Sequence, residues 1–337
     1  MHLAGSDNAM KLPAPFIELP IRFDAGAMAA EIAALDDAGW QPHPQALPGN
    51  SMLPLIAVNG DPADESFAGR MLPTPPLKRC PYVMQVLASL GATLGRTRLM
   101  RLAGQAEVSR HVDQGYYWAE RVRVHVPVVT QPTVRFECGD AAINMAAGEC
   151  WIFDTWRQHR VLNDSHEARI HLVVDTVGGG PFWELVARGR PVPHGPGQVW
   201  QPGLVRPEAG RIPVLTTEAV NVPSVMSPWE LNAHFRLLFS DAVQHSQLST
   251  VRVIAQRFMR NWQGLWARFG ESEEGRQHYQ QALQRFIDEV HEPSREIQLD
   301  NGLPWFSAMG TLIAKAAVSM GPRKTMTQDA YGTSDRA

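Results

Sequence analysis

Short runs in which apolar and polar residues alternate fill the middle of the chain, from residue 96 to residue 178. A period of two is typical of strands that bury one face, and Gly, Asp and Asn separate the runs. Eight short strands with tight connections predict a mostly β core folded as a double-stranded β-helix, the jelly-roll barrel that encloses a ligand site. The predicted strands are Arg96–Leu102, Val108–Asp113, Arg121–Thr130, Thr133–Cys138, Ala142–Met145, Cys150–Asp154, His159–Asn163 and Arg169–Val177.

The chain before this region mixes the strand and helix periods. Pro-rich loops separate its segments, which we expect to flank the barrel. We therefore assign residues 14–178 to one jelly-roll domain that includes these N-terminal flanking elements. The predicted elements are a strand over Phe16–Phe23, a helix over Ala25–Ala38, a strand over Leu53–Val58 and a helix over Pro81–Leu90.

The pattern changes again after the barrel. Residues 179–223 are rich in Pro and Gly and predict a linker, whereas residues 224–322 have the helical period. Aromatic side chains at helical spacing, from Trp229 to Trp266, predict a core stripe in this C-terminal region. Residues 323–337 have the polar composition of a disordered tail. The predicted helices are Trp229–Phe239, Ser246–Phe269, Glu271–His291 and Pro304–Met320.

The bulk composition is that of an ordinary soluble protein. The 337 residues suffice for a sizeable core, the formal charge is -3, and no basic field predicts nucleic-acid binding. The apolar runs are too short to span a membrane, and the N-terminus lacks a secretory signal pattern. Three cysteines without a C-x-x-C pair, Cys80, Cys138 and Cys150, favour a reducing cytoplasm and argue against a disulfide scaffold or a thiolate zinc site.

The strongest chemical pattern is His111-Val-Asp113, followed 48 residues later by His159 and ten residues further on by Arg169. His111 and Asp113 are two apart on a predicted strand, so both side chains point to one face. Two imidazoles and a carboxylate hold Fe(II) on one side and leave the other side open. Arg169 suits a dicarboxylate co-substrate, because a guanidinium grips a carboxylate through two hydrogen bonds. Taken singly each residue is more often structural, but together they predict a catalytic metal site.

The predicted strand over Arg121–Thr130 carries a second candidate set. Arg121, Arg123 and His125 alternate with valines. If this polar face lines the barrel interior, Arg123 and His125 can contact the other end of the co-substrate. Buried cations need anions, so the pattern predicts an acidic ligand such as 2-oxoglutarate. The alternative acidic partners within the chain are Glu137, Glu149 and Asp154.

These segments resemble the aspartyl/asparaginyl β-hydroxylase family of Fe(II)- and 2-oxoglutarate-dependent dioxygenases. The resemblance covers about residues 96–178 and lies in the stretches RHVD, RVRVHVPV, GECWIFDTWRQHRVLNDS and RIHLVVD. It implies a cupin-like core in which His111 and His159 bind iron and Arg169 binds the far carboxylate of 2-oxoglutarate. The residues that correspond to the family's pair at the other end of the co-substrate are Arg123 and His125.

Asp113 distinguishes this chain from the animal peptide hydroxylases of the family, which lack the acidic ligand. In this respect the chain is similar to bacterial proline hydroxylases and lipid A hydroxylases, and its helical C-terminal region matches the layout of the former. The resemblance implies oxygen-dependent hydroxylation of an unactivated carbon, coupled to conversion of 2-oxoglutarate to succinate. We expect the substrate to be an amino-acid side chain, free or in a peptide. A homodimer interface is one role open to the C-terminal helices.

Two other functions stay open on the sequence. A cupin-type metalloenzyme of another reaction class, such as an isomerase or lyase with manganese or zinc, can use the same ligands. Arg169 would then lack a purpose. The other alternative is a non-catalytic cupin interaction module whose helices bind a partner, although an intact set of ligands argues against it.

Overall fold

The structure is a computed structural model that describes residues 11–43, 47–195 and 199–319. The predicted tail over 323–337 lies outside these ranges. The strands are β1 (Phe16–Glu18), β2 (Ile21–Phe23), β3 (Gln41–Pro42), β4 (Asn50–Val58), β5 (Met71–Pro73), β6 (Thr93–Leu102), β7 (Glu107–His111), β8 (Val122–Val129), β9 (Val134–Cys138), β10 (Ala141–Ile143), β11 (Trp151–Phe153), β12 (His159–Asn163), β13 (Arg169–Gly178), β14 (Arg190–Pro191) and β15 (Gly203–Val205). The α-helices are α1 (Ala25–Ala33), α2 (Pro75–Lys78), α3 (Pro81–Ser89), α4 (Tyr116–Ala119), α5 (Gly180–Ala187), α6 (Pro228–Ser240), α7 (Leu248–Phe269), α8 (Arg276–Ser294) and α9 (Trp305–Met309).

Two antiparallel sheets form the β core. The larger sheet has the order β14-β1-β11-β8-β13-β6-β4-β3, with β5 paired to β4, and the smaller sheet has the order β10-β9-β12-β7. Their inner faces meet in an aromatic cluster, where Phe16 of β1 lies edge-on to Phe136 of β9 with 5.6 Å between ring centroids. The predicted double-stranded β-helix is confirmed, and each predicted strand of the barrel is present within a few residues of its predicted bounds.

Alternation along the strands gives the two faces of the larger sheet different chemistry. Val122, Val124 and Val126 of β8 lie in the apolar core outside the barrel, where α1 packs against β8. Arg123 and His125 are buried on the opposite, inner face. Because successive side chains of a strand point to opposite faces, the apolar positions hold the sheet against the helices and leave the polar positions inside the barrel.

Two predicted N-terminal elements are divided in the structure. The strand predicted over Phe16–Phe23 forms β1 and β2, separated at Pro20, which has no N–H to donate to a sheet. The helix predicted over Ala25–Ala38 ends at Ala33. Three residues later, the Asp36 side chain accepts a hydrogen bond from the backbone N of Ala38 and begins a separate 3-10 turn. The helix is therefore shorter in the structure than the sequence pattern predicts.

The C-terminal helices have an apolar core of their own. Phe258 and Trp262 of α7 are buried, and the ring of Phe258 stacks on Phe286 of α8 with 4.3 Å between centroids. The predicted aromatic core is confirmed at these positions but is wrong at Trp229, which is 75% exposed in the first turn of α6. The helices among the described residues include no candidate for a membrane span.

The segment predicted as a linker packs on the barrel. Its strand β15 pairs in parallel with β2. The backbone N of Leu94 donates to the carbonyl of Thr216 at 2.9 Å. Buried Glu218 accepts two hydrogen bonds from Arg121, at 2.8 and 2.9 Å. The segment over 179–223 is therefore rich in Pro and Gly but makes specific contacts with the barrel.

Candidate metal centre

Two neighbouring strands of the smaller sheet bring the predicted metal ligands together. His111 ends β7 and His159 begins β12, and the two are directly opposite each other in the antiparallel pair. Asp113 follows β7, and its backbone N donates to the carbonyl of Thr155 at 3.1 Å. One ligand atom from each of the three side chains lies within 4.8 Å of the other two. All three residues of this cluster are ones that the sequence predicted as metal ligands.

Backbone carbonyls orient both imidazoles. Nδ1 of His111 lies 2.8 Å from the carbonyl of Ser109, and Nδ1 of His159 lies 2.9 Å from the carbonyl of Arg157. A carbonyl oxygen only accepts hydrogen bonds, so each Nδ1 is the donor and each Nε2 keeps a lone pair. Hydrogen bonds of this kind fix the tautomer of metal-binding histidines and the orientation of the ring.

Asp113 is a fully buried carboxylate. Its Oδ2 accepts a hydrogen bond from Nη1 of Arg123 at 2.7 Å, and its Oδ1 has no hydrogen-bond donor among the described residues. Burial alone would raise the pKa of Asp113. The charge of Arg123 and the imidazole of His111, whose Nε2 lies 3.5 Å from Oδ1, outweigh burial, so the pKa of Asp113 lies well below its usual range. The carboxylate is therefore ionised and presents one free oxygen to the histidines.

The two histidines titrate differently although they face the same carboxylate. Burial opposes protonation of His111, but the nearby carboxylate of Asp113 prevails and raises the pKa of His111. Burial, followed by the charge of His111, lowers the pKa of His159 to about 3. His159 is therefore a neutral imidazole at physiological pH, the form that binds a metal.

Arg169 lies in a separate buried pocket of the barrel. Its Nη2 is 2.7 Å from Nδ1 of His171, whose ring in turn lies near His125 with 3.3 Å between the two Nδ1 atoms. Nε of Arg169 and the Nε2 atoms of His125 and His171 are buried, and among the described residues they have no hydrogen-bond partner. Burial lowers the pKa of Arg169 to about 9. The pocket thus presents several nitrogen atoms without a carboxylate.

The acidic residues that were the alternative partners are bound elsewhere. Glu137 pairs with Arg160 at 2.7 Å, and Asp154 pairs with Arg157 at 3.0 Å. Glu149 pairs with Arg22 at 3.1 Å. None of these three ion pairs involves Arg169, so its guanidinium stays available for a ligand.

Aromatic rings connect the two pockets. The ring of Phe153 lies 4.9 Å from that of His159 and 5.3 Å from that of His125. Phe136 packs edge-on against His125 at 5.4 Å. The metal-ligand cluster and the Arg169 pocket therefore share one apolar wall, formed by Phe136 and Phe153.

Arg123 has acidic partners on both sides. Its Nη1 donates to Asp113, and its Nε donates to Oδ1 of Asp175 at 2.9 Å. The guanidinium also lies over the ring of Trp118, 4.2 Å from its centre. The structure thus places Arg123 behind the candidate ligand Asp113, whereas the sequence predicted a contact with the co-substrate; that contact stays a prediction.

Sequence reasoning gave no role to two residues near the site. Asp175 is buried on the inner face of β13 and pairs with Arg123 and, at 3.5 Å, with Arg98. The alternation that put Arg169 and His171 on this face also reaches Asp175, so a signal existed. His43 follows edge strand β3, and its pKa is lowered to about 3 by burial and by Arg98 and Arg96. The sequence around His43 contains no comparable signal.

Comparison with known families bears on the class of the protein. Residues 67–178 match the family model described as aspartyl/asparaginyl β-hydroxylase. The predicted resemblance to that family is confirmed for this third of the chain. The matched segment contains His111, Asp113, His159 and Arg169, and it confirms the predicted enzyme class, a hydroxylase. A search of curated proteins found no match.

Three solved structures align with between 42% and 50% of the chain. A 2OG-Fe(II) oxygenase family protein from Burkholderia pseudomallei is 11% identical, covers 47% of this chain and 80% of its own, and has a TM-score of 0.33. A prolyl-4-hydroxylase from Pseudomonas putida is 16% identical, covers 50% of this chain and 95% of its own, and has a TM-score of 0.34. A cupin-2 domain protein from Rhodospirillum rubrum is 10% identical, covers 42% of this chain and 65% of its own, and has a TM-score of 0.24.

Proposed function

We propose that the protein is an Fe(II)- and 2-oxoglutarate-dependent dioxygenase that hydroxylates an unactivated carbon of an amino-acid side chain, free or in a peptide. The observation that carries this proposal is the cluster of His111, Asp113 and His159, whose ligand atoms lie within 4.8 Å of one another. Two nitrogens and one carboxylate oxygen on one side of an ion are the donor set that non-haem Fe(II) oxygenases use.

The donor set fits a divalent ion in detail. Both Nε2 atoms are available because both Nδ1 atoms meet backbone carbonyls. Oδ1 of Asp113 is buried and lacks a hydrogen bond from the described residues, which is costly unless a cation meets it. Arg123 holds the other carboxylate oxygen at 2.7 Å and so fixes the direction in which Oδ1 points.

The Arg169 pocket fits the far carboxylate of 2-oxoglutarate. A buried guanidinium without an acidic partner among the described residues favours an anionic ligand, and the nitrogens of His125 and His171 can add hydrogen bonds. The shared wall of Phe136 and Phe153 is suited to the methylene groups between the two ends of the molecule.

When bound, Fe(II) with 2-oxoglutarate would supply the oxygen chemistry that inserts hydroxyl into a C–H bond while 2-oxoglutarate becomes succinate and carbon dioxide. The chain's own residues orient and shield these groups. His111, Asp113 and His159 hold the ion, Arg123 fixes Asp113, and Arg169 anchors the co-substrate. The aromatic wall keeps the space between them dry, which strengthens each charge interaction.

The proposed substrate class follows from the family whose model matches residues 67–178, described as aspartyl/asparaginyl β-hydroxylase. The name of that family refers to amino-acid side chains, which supports an amino acid or a peptide as the substrate.

Anaerobic addition of Fe(II) and 2-oxoglutarate to metal-free protein tests the proposal. We expect a weak visible charge-transfer band in the wild type and none in His159→Ala. The matched control is His291→Ala, which removes an exposed histidine of α8 and should leave the band intact. Folded wild-type protein that gives no band would overturn the 2-oxoglutarate assignment.

Release of succinate then identifies the substrate. Amino acids and short peptides are added one at a time with oxygen, and succinate formed beyond the uncoupled background marks a substrate. A band without stimulated succinate from any amino acid or peptide would keep the enzyme class and remove the proposed substrate class.

A further inference from the structure

The loop over residues 154–158 contacts two of the candidate ligands. The carbonyl of Thr155 accepts the hydrogen bond from the backbone N of Asp113 at 3.1 Å. The carbonyl of Arg157, two residues further on, lies 2.9 Å from Nδ1 of His159. A displacement of this loop would therefore move the Asp113 backbone and turn the His159 ring at the same time.

The C-terminal helical region forms hydrogen bonds with the same loop. Nε1 of Trp156 donates to Oδ2 of Asp241, the residue that caps the C-terminus of α6, at 2.5 Å. Nδ2 of Asn301 donates to the carbonyl of Trp156 at 2.9 Å, and Nε2 of Gln158 donates to the carbonyl of Asn301 at 3.0 Å. Three hydrogen bonds thus join the loop to residues that lie between 85 and 145 positions later in the chain.

Apolar contacts add to these hydrogen bonds. Val112 lies between two candidate ligands, and alternation turns it away from the barrel into the core of the helical region. Trp156 is buried in the same core. Tyr116, which follows Asp113 closely, joins this core and donates from Oη to Oε1 of Glu230 at 2.5 Å. The segment around Asp113 and the loop before His159 therefore both pack against the C-terminal helices on the side that faces away from the barrel interior.

We infer that the C-terminal helical region sets the geometry of the metal centre, with Trp156 and Asp241 as positioning residues. This inference rests on the proposed metal site. The physical reason is that a metal site needs its ligands held within a fraction of an ångström, and partners behind the ligands supply that restraint. Trp156 and Asp241 act through the loop backbone, since neither is itself a candidate ligand.

Trp156→Phe tests the role of the indole N–H. The variant keeps an aromatic ring in the core but removes the donor to Asp241. Its matched control is Trp262→Phe, which removes the hydrogen bond from another fully buried indole, at 2.9 Å to the carbonyl of Met226, within the same core and away from the loop. Both variants lose one buried hydrogen bond and similar volume.

The measurement is the affinity for Co(II), followed by its visible absorption without 2-oxoglutarate or substrate. We expect Trp156→Phe to weaken binding about tenfold, because loss of partners behind a ligand weakens metal sites by that order. Trp262→Phe should bind Co(II) as the wild type does, even if it is equally destabilised towards denaturant. Equal affinity of the two variants would overturn the inference.

Variants at Asp241 provide an independent test if Trp156→Phe folds poorly. Asp241→Asn keeps an oxygen that can accept the indole hydrogen bond, whereas Asp241→Leu has similar volume and no acceptor. We expect Asp241→Asn to retain most of the Co(II) affinity and Asp241→Leu to lose about tenfold. In metal-free protein, the Asp113 amide should exchange faster in Asp241→Leu than in Asp241→Asn.

The two proposals fail in different ways. Wild-type protein that does not bind Co(II) would remove the metal site itself. Wild-type protein that binds Co(II), with all four variants unchanged in affinity and exchange, would leave the metal site in place and remove only the positioning role of the helical region.

Discussion

At the scale of single residues, Arg169 is a buried cation whose Nη2 contacts the neutral imidazole of His171. Burial, Arg169 and His125 hold the pKa of His171 well below its usual range, so His171 carries no charge to balance the guanidinium. Burying a charge without a counter-charge is unfavourable. The Arg169 pocket therefore lowers the stability of the ligand-free protein and makes a bound carboxylate stabilising.

Arg169→Met should separate these two effects. We expect the free energy of unfolding without ligand to rise by about 1–3 kcal/mol, since the buried unpaired polar group is removed. In the wild type, 2-oxoglutarate at a hundred times its Kd should stabilise by about 2.7 kcal/mol, and in the variant by none. Denaturant unfolding with and without 2-oxoglutarate measures both quantities.

Arg160→Met is the control for that experiment. Arg160 lies on β12 and pairs with Glu137 at the protein surface, so its loss should change stability little and leave stabilisation by 2-oxoglutarate intact. If the co-substrate stabilised Arg169→Met as strongly as the wild type, the role of Arg169 would be wrong.

His234 is a buried histidine of α6 that lies outside the metal centre. Both of its ring nitrogens lack hydrogen-bond partners among the described residues, and burial lowers its pKa to about 4. The unfolded chain binds a proton near pH 6.5 and the folded chain does not, so His234 costs stability as the pH falls from 6.5 towards 4. The full cost below this window is about 3 kcal/mol at most.

His234→Leu removes this pH-dependent cost. We expect the variant to exceed the wild type in free energy of unfolding, and the difference between them to grow as the pH falls from 6.5 to 4. Parallel denaturant titrations at pH 7.5, 6, 5 and 4 measure this difference. A difference that stays constant with pH would mean that His234 is protonated, or hydrogen-bonded, in the folded protein.

The residues that sequence alone could predict are those governed by alternation and by ligand type. His111, Asp113 and His159 are adjacent in space because they end and begin paired strands, and the interior positions of Arg123, His125 and Arg169 follow from a period of two. The contact between Trp156 and Asp241 joins residues 85 positions apart. No periodicity specifies which helix end meets which loop, so this part of the site required the structure.

At the scale of elements, the turn before β11 depends on one glycine. Gly148 has φ of +79°, and a Cβ there would lie 2.3 Å from the carbonyl oxygen of Phe23. Glycine adopts a positive φ without the steric cost that other residues have. The turn holds β2 beside the barrel, since the backbone N of Phe23 donates to the carbonyl of Gly148 at 2.9 Å.

Gly148→Ala and Gly264→Ala should therefore change stability in opposite directions. We expect Gly148→Ala to lower the free energy of unfolding by about 1–3 kcal/mol, because alanine disfavours positive φ and its Cβ meets backbone. Gly264 lies within α7 with open space around its Cβ position, so alanine there should raise the free energy by about 0.5–1 kcal/mol. Denaturant unfolding measures both, and a loss of equal size in both variants would contradict the distinction.

The types of the larger elements could be predicted from the sequence, but some boundaries could not. The strands of the barrel and the long helices α7 and α8 have strong periods, which local sequence reports directly. The break of the first predicted strand follows from the missing N–H of Pro20, and the separate turn after α1 begins with one hydrogen bond to the Asp36 side chain. The close packing of 179–223 depends on the buried pair of Glu218 and Arg121, a long-range contact that Pro and Gly content does not reveal.

At the scale of the whole molecule, the core of the C-terminal helices includes side chains from the barrel region of the chain. Val112, Tyr116 and Trp156 belong to the chain of the barrel but are buried in the core of the helical region. Elements that share a buried core stabilise one another, since unfolding of either exposes apolar surface of both. The predicted division at residues 179–223 describes the sequence pattern. An unfolding experiment shows whether the two regions also unfold separately.

We expect the answer to be a single cooperative transition. Far-UV circular dichroism at 222 nm reports mainly on α7 and α8, and absorption of bound Co(II) reports on the barrel, so the two signals should have the same denaturant midpoint and slope. In Trp156→Phe the link between the cores is weakened, and loss of the Co(II) signal should precede loss of helix. Separate midpoints in the wild type would mean that the barrel and the helices fold as independent units. The shared residues would then be only a contact surface between the two units. In that case, removal of residues 224–319 should leave a folded barrel that still binds metal.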